Sequence, residues 1–202
     1  MTLPPVTLPD GYSPVAAGKV AFVVTSLEML APPPRVDGGP QFQIVRVERP
    51  DLDWYRDLFR RIGTDWLWFG RLRLTDAELS AVVHDPRLEL YLLTGSNRGE
   101  GLLELDFRQP AECEIAYFGV TPDLIGRGAG RRLMRHAIET AWSRPIRRLW
   151  VHTCTGDHPE ALQFYIRSGF RPYRRQIEVA DDPRLLGVLP ETAAPHVPLL
   201  RS

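Results

Sequence analysis

The chain has 202 residues, 25 basic against 25 acidic, and 44% of it is hydrophobic. That size and composition suit one domain with a substantial buried core. The balanced charge leaves no footprint for nucleic acid or an anionic membrane, and no run of about 18 or more apolar residues is present to span a bilayer.

The first residues, Met1-Thr2-Leu3-Pro4-Pro5, have neither a basic n-region nor a continuous apolar stretch. No secretory signal is therefore expected, and the location is read as cytoplasmic. Cys113 and Cys154 are too few for a disulfide framework and are expected to be buried thiols in a reducing compartment. Lys19 is the only lysine among the cations. Because the arginines are spread along the whole chain, the bias is read as codon usage and not as a phosphate surface.

Residues 1–40 read as an N-terminal extension with one strand of its own. Lys19 to Leu27 is rich in β-branched and aromatic residues, and Pro32-Pro33-Pro34 and Gly38-Gly39-Pro40 stop it. This strand is expected to cover a sheet edge or to build a homodimer contact. Gln41 to Val47 alternates as a strand. Asp51 to Ile62 carries Leu52, Tyr55, Leu58, Phe59 and Ile62 at helical spacing, with Gly63 as the expected stop. Thr75-Asp76-Ala77-Glu78 is a capping box that opens a second helix to about Val83. Leu88 to Leu93, Gly101 to Phe107 and Glu112 to Val120 read as strands, with a turn at Gly95 to Gly99 and a hairpin at Arg108 to Ala111. Gly126 to Trp142 is a glycine loop opening into an amphipathic helix. Arg148 to Thr153 is a strand, Pro159 and Gly169 bracket a helix, and Tyr173 to Val179 is the last strand. Residues 41–182 thus form an α/β domain with a mixed, mostly antiparallel sheet flanked by helices, and residues 183–202 read as an extended tail.

The segment from Phe118 to Leu133 carries the most chemistry. A strand ends and a helix begins across Gly126-Arg127-Gly128-Ala129-Gly130. Glycines allow close backbone approach, and the first amides of a helix have no partner of their own, so the turn is suited to a pyrophosphate. Arg127 and Arg131 add charge. The dinucleotide fingerprint fails because Arg131 stands where its third glycine belongs, and no Gly-Lys-Ser/Thr makes a P-loop. A glycine cluster serving only tight packing is the alternative.

Three stretches together resemble the GNAT superfamily of N-acetyltransferases. The loop matches that family's Arg/Gln-x-x-Gly-x-Gly/Ala motif at Gly128 and Gly130, with Ile125 in the place of its first residue. Glu114 to Val120 resembles the strand that leads into the loop. Ala161, Tyr165, Gly169 and Phe170 match the Asn-x-x-Ala-x-x-x-Tyr-x-x-x-Gly-Phe pattern, with His158 in the place of Asn. The resemblance implies acetyl-CoA as co-substrate. Its pyrophosphate would lie on the amides of Arg127, Gly128, Ala129, Gly130 and Arg131, with His158 as a further cofactor contact. Its pantetheine arm would pair with the backbone of Phe118, Gly119 and Val120, in a gap where this strand and the next splay at a bulge. The implied partner is an amine acceptor of unknown identity.

For the chemistry, an alkylammonium must lose a proton before it attacks a thioester. Glu114 matches the position used as base in some of these proteins, with Glu104 and Asp106 as competitors and an exposed strand carboxylate as the bland alternative. Tyr165 matches the general acid that protonates the departing thiolate. Trp54, Tyr55, Trp66, Trp68 and Phe69 are read first as core and second as an aromatic wall for a cationic acceptor. The five histidines show no metal-ligand spacing with the cysteines, and His152 and Cys154, two apart on a strand, are read as core residues in preference to a covalent cysteine mechanism. Two other functions stay open: a non-catalytic acyl-CoA-binding regulatory module, and a nucleotide-dependent enzyme that takes ATP or NAD on the same loop.

Overall fold

The computed structural model describes residues 8–34, 42–95 and 100–201. In chain order its elements are β1 (Lys19–Met29), β2 (Gln43–Val47), α1 (Leu52–Gly63), α2 (Asp76–Val83), β3 (Leu88–Thr94), β4 (Glu100–Asp106), β5 (Glu112–Val120), α3 (Ala129–Trp142), β6 (Arg148–Cys154), α4 (Ala161–Arg167) and β7 (Arg171–Asp181). The strands form one sheet in the order β2-β3-β4-β5-β6-β1-β7. Only the β5–β6 pair is parallel, as expected where α3 makes the crossover between them. The expected start of β2 at Gln41 and most of the turn after Gly95 lie outside the described residues. Among the described residues no helix is long and apolar enough to cross a membrane.

Local chemistry accounts for the helix starts. Asp51 accepts from the amides of Asp53 and Trp54 at the head of α1. Thr75 and Glu78 form the complete capping box that opens α2. Gly63 differs from its expected role: it is the last residue of α1 and stays right-handed. A Cβ there would sit 2.4 Å from that of Trp68, so the glycine serves a close approach and not a left-handed stop.

Each face of the sheet buries its own apolar cluster. α3 and α4 cover Leu27, Leu103, Leu105, Ile115, Leu149 and Val151. α1 and α2 cover Leu90 and Leu102 on the other face with Tyr55, Leu58, Phe59 and Leu79.

Two expectations are corrected. β1 is not a separate extension or an edge cover. It lies inside the sheet, antiparallel to β6 from Val24↔Cys154 to Met29↔Leu149 and to β7 from Lys19↔Asp181 to Glu28↔Arg171. Its apolar content suits that site, because an interior strand is covered on both faces. The edge is left to β7, which carries Arg171, Arg174 and Arg175 besides Tyr173, Ile177 and Val179 and is exposed along most of its length.

The tail after β7 is not extended. Leu189, Ala193 and Ala194 are buried against Val20, Phe22 and Leu67. Arg184, 3% exposed, organises the segment. It makes a forked pair with Asp182, with Nη2 2.7 Å from Oδ2, and donates to the carbonyls of Ala193, Val197 and Pro198. Asp182 is held below the usual carboxylate range by those Arg184 bonds. Arg184→Ala would leave Asp182 buried without its counter-ion and strand several carbonyls. It is expected to lower the unfolding free energy by about 3–5 kcal/mol. A urea midpoint equal to the parent's would contradict this.

Candidate active site

The site is built where β5 and β6 part. They pair in parallel from Glu112↔Arg148 to Ile115↔Val151 and no further. On its other side β5 pairs with β4, and the register shifts there: Glu104 faces Tyr117 while Leu105 faces Ile115, which leaves Ala116 as an extra residue. Such a bulge bends its strand, and β5 turns away from β6 at that point. Each diverging end is held elsewhere, β5 by β4 through Gly101↔Val120 and β6 by β1 through Val24↔Cys154. Between them opens a cleft of about 680 Å³.

The glycine loop closes one end of this cleft. Gly126 and Gly128 take positive φ angles of 77° and 82°, which only glycine adopts at little cost, and a Cβ at Gly126 would meet nothing within 4 Å. Gly128 caps α3, and the first amide to donate back into the helix is that of Arg132, to the Gly128 carbonyl at 3.0 Å. No described residue bonds to the amides of Gly128, Ala129, Gly130 or Arg131. Arg127 departs from the expected set, because its amide donates to the Leu124 carbonyl at 3.2 Å. Gly128, Gly130 and Arg131 line the cleft, and Arg127 and Ala129 do not. Four donors at the positive end of a 14-residue helix form a ready anion cradle.

Phe118, Gly119 and Val120 also line the cleft, as do His158 and Tyr165. The Nδ1 atom of His158 accepts from the Glu160 amide at 3.1 Å, and its ring meets Trp66 edge-on at 5.0 Å. Tyr165 on α4 is 6% exposed among the rings of Phe118, Phe164 and Phe170. No described residue hydrogen-bonds its hydroxyl. Burial, helped by the negative charge of Asp157, pushes that hydroxyl well above the usual phenol range, so it stays protonated.

The carboxylates separate clearly. Glu104 is fully buried: Tyr55 donates to one of its oxygens and Arg71 to the other at 2.8 Å. Asp106 is forked by Arg108, and lies below the usual range despite its burial. Both competitors are therefore occupied. Glu114 does not line the cleft. It lines a second hollow of about 340 Å³ with Asp106, Arg108, Gln109 and Trp150.

His152 joins the two cavities. It lines the cleft, and its Nδ1 lies 3.4 Å from Glu114 Oε1. From the sequence it is expected in the core. Beyond Val151, however, β6 has lost its partner on the β5 side, and the His152 side chain is 46% exposed. Cys154 also reaches the cleft, where burial pushes its thiol up to about 12 and makes it a poor nucleophile. Cys113 is fully buried, as expected.

The aromatic residues divide between core and cleft. Tyr55 is core, and Trp54 packs beside it. Trp66, Trp68 and Phe69 line the cleft. Trp68 is pinned there by its Nε1–H, which donates to Asp157 at 3.2 Å. The other oxygen of Asp157 accepts from Thr153 Oγ1 and from the Cys154 amide, both at 2.8 Å.

The model of the acetyltransferase (GNAT) family matches residues 55–170, more than half of the chain. A solved structure from Novosphingobium aromaticivorans assigned to that family is 20% identical with a TM-score of 0.57, covering 83% of this chain and 69% of its own. A GCN5-related N-acetyltransferase from Sphaerobacter thermophilus is 20% identical with a TM-score of 0.52, covering 80% and 51%. A conserved protein of unknown function from Staphylococcus epidermidis is 15% identical with a TM-score of 0.53, covering 82% and 63%. The chain thus spans less than two thirds of the length of two of these three. No curated protein matches it.

Gly119 is a packing glycine as well as a cleft residue. A Cβ there would lie 2.5 Å from Ile62 Cγ2 and 3.0 Å from Trp68 Cη2. Gly119→Ala is expected to cost about 1–3 kcal/mol of stability, read by chemical denaturation without any ligand. An unchanged midpoint would show that Trp68 and Ile62 yield freely.

Proposed function

The chain belongs to the GNAT acetyltransferase family, and on that premise we propose that it transfers an acetyl group from acetyl-CoA to a primary amine by direct attack. The observation that carries this reading is the coincidence, in one cleft, of an unbonded amide cradle and a fork in the sheet. The cradle at Gly128 to Arg131 offers fixed donors to the pyrophosphate, with the Arg131 side chain beside them. The fork exposes β5 backbone at Phe118 to Val120, where an extended pantetheine arm pairs as a strand would.

The acyl chemistry follows from the groups at the fork. The amine nitrogen attacks the thioester carbonyl, the carbon–sulfur bond breaks, and the thiolate leaves. Tyr165, held neutral by burial, donates the proton that the sulfur takes. Glu114 is the negative charge that drives deprotonation of the incoming ammonium. Trp66, Trp68 and Phe69 supply flat apolar faces for the body of the acceptor.

The test is release of the CoA thiol in the presence of acetyl-CoA and a series of primary amines. Tyr165→Phe is expected to lower kcat by about 100-fold and to leave acetyl-CoA affinity nearly intact. Unchanged turnover would remove Tyr165 from the mechanism. Uptake of acetyl-CoA with no thiol released by any amine would replace the enzyme with an acyl-CoA-binding module.

A further inference from the structure

We propose that His152 is the group that receives the acceptor's proton, with Glu114 behind it as the anion that orients the ring and stabilises its charged form. The inference rests on the acyltransferase reading above and assigns a residue that the sequence pattern placed in the core.

Position comes first. His152 is the first β6 residue past the last pair with β5, so it stands at the crotch of the fork. Its side chain lines the cleft, whereas that of Glu114 lines the other hollow. The two touch through Nδ1 and Oε1 at 3.4 Å. With Nδ1–H turned to the carboxylate, Nε2 is the free lone pair, and no described residue bonds to it.

Three other acids are held by their own partners. Glu104 is held by Tyr55 and Arg71, Asp106 by Arg108, and Asp157 by Trp68, Thr153 and the Cys154 amide. Glu178 lines the cleft from β7, but it faces Phe22 of β1, while His152 faces Ser26.

The proton balance closes. The ammonium R–NH₃⁺ gives one proton to Nε2, and the imidazolium is stabilised by Glu114. The freed lone pair forms the carbon–nitrogen bond. Tyr165 gives its proton to sulfur, the second proton lost by nitrogen returns to the Tyr165 oxygen, and His152 releases its proton to solvent after turnover. The products are the acetamide, CoA thiol and one proton.

The surrounding charges favour this role. Glu114 is the main influence that lifts the imidazole above its ordinary value; partial burial opposes it, and Asp157 and Glu178 add to the lift. Arg174 of β7, which pairs with Ser26 across β1 from His152, is the cation on that side. His152 is a base only when neutral, that is, above its raised pKa. Activity must therefore fall as pH drops through that value, and removing the Glu114 charge must move the fall to lower pH.

The probes are 2-phenylethylamine, an ammonium ion at neutral pH, and hydroxylamine, already a free base there. With the full chain and acetyl-CoA, His152→Gln is expected to lower kcat/KM for 2-phenylethylamine by about 100-fold and to leave that for hydroxylamine nearly unchanged. Glu114→Gln is expected to shift the acidic limb of the 2-phenylethylamine profile to lower pH. Equal losses with both amines, or an acidic limb that survives in His152→Gln, would overturn the assignment. Calorimetry with acetyl-CoA separates the failures. Parent protein that binds no acetyl-CoA overturns the acyltransferase reading itself, while variants that bind it normally and keep the parent's amine preference overturn only the role of His152.

Discussion

The site depends on two parallel strands that pair for only four positions and then separate. A sheet normally satisfies its backbone donors and acceptors strand against strand. Past Ile115 and Val151 that arrangement stops, yet neither strand frays, because β4 holds one and β1 holds the other. The Ala116 bulge sets the direction in which β5 leaves, and the gap is wide enough for a cleft of about 680 Å³. Everything of chemical interest lies around that gap: the glycine loop at the end of β5, His152 on β6, and Tyr165 on the helix packed beneath.

Rigidity at the gap comes from contacts outside it. β1 is the load on the far side of β6; without it β6 would be an edge strand at the site itself. The tail then locks β1 in place through the cluster around Phe22 and the Arg184 network. On the cleft wall formed by Trp66, Trp68 and Phe69, the buried Arg71–Glu104–Tyr55 group ties that segment to β4. Arg71 also stacks over Tyr117, 5.0 Å from its ring centre. Removing one member of such a buried pair exposes the full cost of the other's lost solvation, about 3–5 kcal/mol, so the cleft wall is costly to displace.

Local signals were readable from the chain because they are local. The capping box at Thr75, the helical spacing from Leu52 to Ile62, the helical stripe of α3 and the glycine pattern at Gly126 to Gly130 each depend on neighbours within a few turns of chain. Long-range pairing left no such trace. β1 lies next to β6 in space but more than a hundred residues away in sequence, and apolar alternation states that a strand is buried without naming its partners. Arg184 carried no local signal; only the folded tail makes it a buried anchor. His152 is read as core from the sequence, and that reading fails because β6 is half-paired where it sits. Glu104 stood as a competitor to Glu114 until the structure brought Tyr55 and Arg71 to it. Gly63 and Gly119 both carry packing demands from Trp68 that no local rule announces.

The most direct test of the account is calorimetric titration of the full chain with acetyl-CoA, with ATP and NAD as controls. The forked strands and free amide cradle predict saturable one-site binding of acetyl-CoA and none of either nucleotide. No heat with acetyl-CoA, or tight binding of ATP or NAD in its place, would contradict the assignment of the cleft.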